Sequence, residues 1–198
     1  MIIFDVGANN GSFGLKYVDD LNNTIYAFEP TPHLLHTILW KINKPNYIVI
    51  PKVVSNFNGK VPFYVAGNRD WGCSSTLEFS NDLSRTWPGR QDFKVTNKIT
   101  VDSIRMKDFV EQNNIEKIDM FHCDVQGNDL NVLLSFDEHI NKIVRGEVEA
   151  FEKNPLYKEA NNSKQNVVNF LIKNNFKILD IESNDPFNNE VNIIFEKK

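Results

Sequence analysis

The segment that most restricts the fold of this chain is its start, where Ile2-Ile3-Phe4-Asp5-Val6 runs into Gly7-Ala8-Asn9-Asn10-Gly11-Ser12. The near-continuous apolar run reads as a strand buried on both faces, as strands of parallel sheets are. Two glycines permit a tight turn, and Ser12 to Val18 reads as the beginning of a helix. Strand, glycine turn and helix in that order open an α/β unit, and the alternation continues to about residue 150. Thr24 to Phe28 is a second strand ending in Glu29. Pro30 and Pro32 then open a helix with Leu34, Leu35, Ile38, Leu39 and Ile42 at helical spacing. Tyr47 to Ile50, Ile118 to Cys123 and Ile143 to Val148 read as further core strands, and Asn58-Gly59 as the turn into a hairpin strand, Val61 to Val65. Ile99 to Ile104 leads into a helix reaching about Asn113, and helices are expected from about Asp129 to Leu134 and from Asn166 to Lys173. Phe176 to Ile181 and Val191 to Phe195 close the chain as an antiparallel pair. With no internal repeat and no linker, residues 1–198 read as one domain.

The glycine turn also carries chemistry. The amides at the start of a helix have no partners within it, so a turn of this kind offers them to a nucleotide-type ligand at the sheet edge. A dinucleotide site requires G-x-G-x-x-G for its pyrophosphate, whereas Gly7 and Gly11 bracket three residues. Asp5, just before the turn, repels a diphosphate but can hold an ammonium group. A ligand with a ribose and an amino acid but no phosphate fits better, which is S-adenosylmethionine. Glu29, at the end of the second strand, is placed to accept the ribose hydroxyls. Two alternatives stay open: the turn as a structural glycine turn, and Glu29 as a helix-capping acid.

Three ordered stretches then carry a family resemblance. They are Ile3 to Phe13, Tyr26-Ala27-Phe28-Glu29-Pro30, and Asp119-Met120-Phe121-His122-Cys123-Asp124-Val125-Gln126-Gly127-Asn128-Asp129-Leu130. Over about residues 2–150 the chain resembles the FkbM-type S-adenosylmethionine-dependent methyltransferases. The resemblance implies a Rossmann-like class I methyltransferase sheet, mostly parallel with a C-terminal antiparallel pair, and O-methylation of a sugar, glycan or natural-product hydroxyl. It implies a cofactor site of Asp5, Gly7, Asn10 and Glu29, with Asn9, Gly11, Ser12 and Pro30 beside them. Ser55, Asp124 and Val125 would border the adenine and methionine ends. Gln126 stands where the family usually has Glu. The chain also begins on its first strand, where family members carry a helical segment upstream. It is therefore expected to be a domain fused to upstream glycan-assembly domains, or else a minimal version of the fold.

Methyl transfer to a hydroxyl needs the oxygen aligned opposite the sulfur and help in losing its proton. Strand alternation puts His122 and Asp124 on one face, and Arg145, Glu147 and Glu149 on one face of the next strand. Asp124 is the first candidate for base or hydroxyl positioner, Glu149 the second and His122 the third. Glu149 could instead pair with Arg145 or Lys153, and His122 could be a satisfied core histidine. These acids would also suit magnesium or manganese, but their spacing does not demand a metal and none is expected. Residues 67–94 break the alternation and are the candidate acceptor site, because long irregular stretches in compact domains are usually functional. Trp71 and Trp87 offer faces for a sugar ring, and Ser74, Ser75 and Arg90 offer hydrogen bonds. Alternatively, the two Trp pin the loop to the sheet.

Composition narrows the competitors. Hydrophobic residues at 41% and charged residues at 24% exclude a disordered chain. A net charge of −4 disfavours nucleic acid, whose binding draws on Lys and Arg. Cys73 and Cys123 form no CxxC, so a zinc site is not expected. No run of 18 apolar residues and no signal peptide are present, so the chain reads as cytoplasmic with no membrane partner. An NAD-dependent oxidoreductase and a non-catalytic module that kept the fold remain the competing readings.

Overall fold

The computed structural model describes residues 1–67, 71–90 and 93–198, the Trp71 side chain excepted. In chain order the strands are β1 (Ile2–Val6), β2 (Thr24–Phe28), β3 (Tyr47–Ile50), β4 (Val53–Val54), β5 (Gly59–Ala66), β6 (Val95–Ile104), β7 (Met120–Cys123), β8 (Arg145–Phe151), β9 (Phe176–Ser183) and β10 (Glu190–Lys197). The helices are α1 (Pro32–Thr37), α2 (Leu83–Thr86), α3 (Met106–Gln112), α4 (Asp129–Leu134) and α5 (Lys164–Lys173).

Seven strands form one sheet in the order β3-β2-β1-β7-β8-β10-β9. All neighbours are parallel except around β10, which runs antiparallel to β8 and β9. Strand order reverses between β1 and β7, and crevices for ligands open at such a point beyond the carboxyl ends of the strands. Period-two alternation explains the layers on either face. Ile3 packs with Ile25, Ala27, Leu35, Leu39 and Tyr47, while Phe4 and Val6 join Phe28, Phe109, Phe121, Phe136 and Val148 on the other side. The C-terminal pair closes the sheet as expected, because Val191, Ile193 and Phe195 of β10 are buried against β8 and β9. Among the described residues no helix is long and apolar enough to cross a membrane.

Three local expectations change. The helix expected from Ser12 is a single 3-10 turn, Gly14–Tyr17. The Gly14 amide donates to Asp5 Oδ2 at 3.0 Å, and a Cβ at Gly14 would lie 2.9 Å from both Ile25 and Tyr47. The buried acid thus draws the chain into a tighter turn than an α-helix allows. The helix over 32–42 ends at Thr37, and Ile38 departs from helical geometry (φ −126°, ψ −68°) before a short 3-10 turn. The Val61–Val65 strand exists, but its antiparallel partner is β6, with Gly59 opposite Ser103. Together with β4 it makes a separate three-stranded sheet, β4-β6-β5.

Candidate active site

The site is built on the loops that leave β1, β2 and β7. Gly7 takes φ +83°, and its backbone lies so close to the next loop that a Cβ there would sit 1.8 Å from the Asp124 carbonyl oxygen. The amides of Gly7 and Ala8 both donate to the Phe28 carbonyl at 3.0 Å, tying the turn to the end of β2. Asn9, at φ 49°, sends its amide to Glu29 Oε2 at 2.9 Å, and Thr31 sends its amide to Oε1 at 2.8 Å. Burial raises the Glu29 pKa, and these donors offset only part of the rise. Asn10 Oδ1 accepts the Ser12 amide, and the Gly11 amide donates to Ala8 at 2.7 Å, which closes the turn.

Asp5 is fully buried. One oxygen holds Gly14, and the other lies 2.9 Å from His122 Nδ1 on the neighbouring strand. His122 also stacks on Phe13, with centroids 4.4 Å apart and planes at 13°. Burial works against protonation of His122, but the bond and charge of Asp5, with Asp124 and Glu147, outweigh it and raise the pKa. Asp5 thus ties the turn to His122 while lining the second cavity.

Beyond β7, Asp124 and Glu149 come together. Gln126 Nε2 donates to Asp124 Oδ1 at 2.6 Å and to Glu149 Oε2 at 3.2 Å. Glu149 Oε1 accepts from Asn184 at 2.7 Å. Burial, and then the charges of Asp124, Glu190 and Asp129, push the Glu149 pKa well above the carboxylate range. Glu190, at the start of β10, is lifted to about 8 by burial and by Asp124, Asp185 and Asp129. The loop itself is anchored by Asp129, which accepts the amides of Val125 (2.8 Å) and Gly127 (3.1 Å) and the Asn162 side chain (2.8 Å).

These groups border three adjoining cavities. The first is lined by Gly7, Asn9, Glu29, Pro30, Ser74 and Val125 among others. The second lies over Asp5, Ser12, Phe13, Lys16, His122 and Glu147. The third runs past Trp87, Arg90, Glu149, Asn184, Asp185 and Glu190. Asn9 and Asp124 border all three. The arrangement therefore offers two compartments on either side of the glycine turn and one beyond it, meeting at a carboxyl group.

Most of the residues singled out from the sequence gather here, with exceptions. Ser55 lies on the small sheet, its amide bonded to Ile104 and its hydroxyl to Asn56, and it lines none of the three cavities. The β4–β6 pairing carries it away. Ser75 is buried and its hydroxyl donates to the Gln126 carbonyl at 2.7 Å, supporting the loop and not facing an acceptor. Trp87 is only 2% exposed, packed with Leu156 and Tyr157 and edge-on to Phe93. It pins the segment and leaves no open face for a sugar ring. Ser74 lines the first cavity while accepting the Ala66 amide, and Arg90 lies over Phe93 at the third. The Trp71 side chain lies outside the described residues. Glu190, Asn184 and Asp185 were not expected: they reach the site from the β9–β10 end, and nothing local in their sequence marks that.

The family model described as Methyltransferase FkbM domain matches residues 5–178. A curated relative, 2-O-methyltransferase NoeI of Sinorhizobium fredii (strain NBRC 101917 / NGR234), is 24% identical over 148 residues, 71% of this chain and 59% of its own length. The chain thus spans less than two thirds of the curated relative it matches. Among solved structures, the fibrillarin pre-rRNA processing protein of Methanococcus jannaschii superposes with TM-score 0.53 at 17% identity, covering 100% of this chain and 67% of its own. Magnesium protoporphyrin IX methyltransferase (ChlM) of Synechocystis PCC 6803, solved with bound S-adenosylmethionine, gives 0.51 at 10% identity, covering 99% and 69%. At such identities the likeness is one of fold alone.

Proposed function

Since the chain belongs to the FkbM methyltransferase domain family, we propose that it is an S-adenosylmethionine-dependent O-methyltransferase whose acceptor is a hydroxyl of a sugar or glycan. The methyltransferase activity and its methyl donor go with the family. The choice of oxygen is supported by the relative named as a 2-O-methyltransferase. A polyol acceptor is supported by the third cavity, which is lined by carboxyls, the Asn184 amide and the Arg90 guanidinium.

The observation that carries the reading is the position of Asp124 on the border of all three cavities. When bound, S-adenosylmethionine supplies an electrophilic methyl group on a positively charged sulfur. The residues present fit that ligand. Glu29 is 5% exposed and lines the first cavity, and its two backbone donors use only two of its roughly four lone-pair sites. The others suit a pair of ribose hydroxyls. Asp124 and Glu147, both on the second cavity, supply negative charge for an ammonium group. Lys16 and the raised His122 supply positive charge for a carboxylate. Asp124 accepts a hydrogen bond from the acceptor hydroxyl, aims its lone pair and takes its proton as the new bond forms.

Calorimetry with S-adenosylhomocysteine tests the cofactor half. Glu29→Ala is expected to weaken binding about a hundredfold or more, the worth of two charge-assisted hydrogen bonds. Methyl transfer to a panel of sugars tests the acceptor half, where Asp124→Ala is expected to lower turnover far more than cofactor affinity. Unchanged binding in Glu29→Ala, or full turnover in Asp124→Ala, would sink the assignment.

A further inference from the structure

One amide nitrogen stands between the two carboxyl groups of the proposed transfer site. Gln126 Nε2 lies 2.6 Å from Asp124 Oδ1 and 3.2 Å from Glu149 Oε2. The orientation of the amide follows from chemistry, because carboxylates only accept and the NH₂ end is the only part of the side chain that can donate. The other end is consistent with this: the Tyr157 hydroxyl lies 2.8 Å from Gln126 Oε1. Burial pushes the Tyr157 pKa far up, so the hydroxyl keeps its proton, which faces both Gln126 Oε1 and the Cys73 carbonyl at 2.8 Å. The backbone is specialised too. Gln126 takes φ +61° and Gly127 φ +92°, an uncommon conformation for a residue with a side chain. It is held there by the Ser75 hydroxyl on the Gln126 carbonyl at 2.7 Å.

We propose that Gln126 is a positioning residue of the transfer site: its amide bridges Asp124 and Glu149 and fixes how the two carboxyl groups face one another. Two carboxylates facing one another repel, and burial with the charge of Asp124 already pushes Glu149 well above the carboxylate range; donors placed between them limit that rise and hold the pair in one geometry. The Gln126 NH₂ provides two donors from one atom and engages a single oxygen of each acid. That leaves the remainder of Asp124 for the acceptor hydroxyl. The inference rests on the reading of Asp124 as the group that receives that hydroxyl, but its physical content is the bridge itself.

Two substitutions separate the bridge from mere filling of space. Gln126→Met keeps the length and removes both donors. Gln126→Glu keeps the shape and sets a third carboxyl against the other two, an arrangement that calls for a proton or a hard divalent cation with oxygen ligands. The tests use the full chain, and the two that decide the bridge, the titration and the manganese comparison, need no acceptor. Glu111, Glu138 and His139 hold ligand atoms within 4.8 Å of one another at the surface and could bind manganese in any variant. All manganese measurements are therefore made on a His139→Ala background.

In ¹³C-carboxyl titrations the lower step of the Asp124–Glu149 pair is expected to rise by about one pH unit in Gln126→Met, since donors to the charged form are lost. Turnover, read with a sugar acceptor, is expected to fall about tenfold or more while affinity for S-adenosylhomocysteine changes less. Gln126→Glu is expected to give a saturable Mn²⁺ signal in paramagnetic resonance that the parent lacks, with circular dichroism unchanged. The proposal is overturned if Gln126→Met titrates like the parent, or if parent and Gln126→Glu bind Mn²⁺ alike. Should Gln126→Met not fold, the manganese comparison decides alone. If the parent methylates no sugar, the functional reading fails, while the titration and the manganese comparison still decide the bridge.

Discussion

Gly7 has no room for a side chain. Its φ of +83° costs an L-residue about 1–2 kcal/mol, and a Cβ would meet the Asp124 carbonyl at 1.8 Å, a backbone atom that cannot step aside. Gly7→Ala is therefore expected to destabilise by roughly 2–4 kcal/mol and to lower the urea midpoint by about 1–2 M. Calorimetry on the variant is expected to show cofactor binding lost, because the shift displaces the glycine turn that lines the first two cavities. A midpoint within error of the parent would show that the two loops are not in contact. At this scale the sequence marks positions better than partners. The Gly7–Gly11 spacing, Glu29 at a strand end and Asp124 after β7 are all visible in the chain. That Asp5 spends both oxygens on Gly14 and His122 is not, because that pairing depends on β1 and β7 lying in register, with Asp5 opposite His122. Trp87 misled for a related reason: the side chain that can stack on a sugar can equally pack edge-on against Phe93, and only packing distinguishes the two.

Among the elements, the loop from Asp124 to Asn128 depends on the first residue of α4. Asp129 accepts from Val125, Gly127 and Asn162, and from the Cys123 thiol at 3.6 Å. Four donors converge on one carboxyl, so Asp129→Asn is no mild change: an amide offers one accepting oxygen and adds two donors of its own. Both Asp129→Asn and Asp129→Ala are expected to cost about 3 kcal/mol, measured by urea unfolding, since they strand buried donors. Turnover is expected to drop in both. A variant with parent stability would mean the loop is held by other contacts. Strands and helices with a clear period were legible, including α4 and the closing β9–β10 pair. The small sheet was not, since β5 and β6 meet only after a long intervening stretch, and pairing at that separation leaves no periodic mark between the partners. The turn after Gly11 was read as a helix because its composition allows one. The buried Asp5 side chain, not local propensity, decided otherwise.

Across the whole molecule, acidic groups collect at the carboxyl edge of the sheet. Asp129 is lifted to about 7 by burial and then by Asp124, and Glu190 to about 8 by burial and then by Asp124 and Asp185. Glu149 and Glu29 are also raised, chiefly by burial. A raised native pKa means that the folded state holds more protons than the unfolded one, so stability falls as pH climbs from about 4.5 through the raised values. His122 works in the same direction, its native pKa lying above its ordinary one, so its contribution fades as pH rises through that value. The opposing carboxylates, lowered beside Lys60, Lys107 and Lys158, sit on exposed pairs and matter only below about pH 4. The balance places maximum stability near pH 4 to 4.5. Between there and pH 8.5 the unfolding temperature is expected to fall by about 5–10 °C, corresponding to roughly 2–4 kcal/mol. Glu190→Gln removes one of the groups that must ionise against its neighbours, so its calorimetric profile is expected to be flatter above pH 7. A parent that grows more stable over this range, or a Glu190→Gln profile parallel to it, would mean that these carboxyls are already ionised and screened. A flatter profile would instead identify the acids around Asp124 as a reserve of bound protons, released when positive charge enters the cleft. Ligand stabilisation by S-adenosylmethionine, which carries a positive sulfur, is then expected to increase with pH over that same interval.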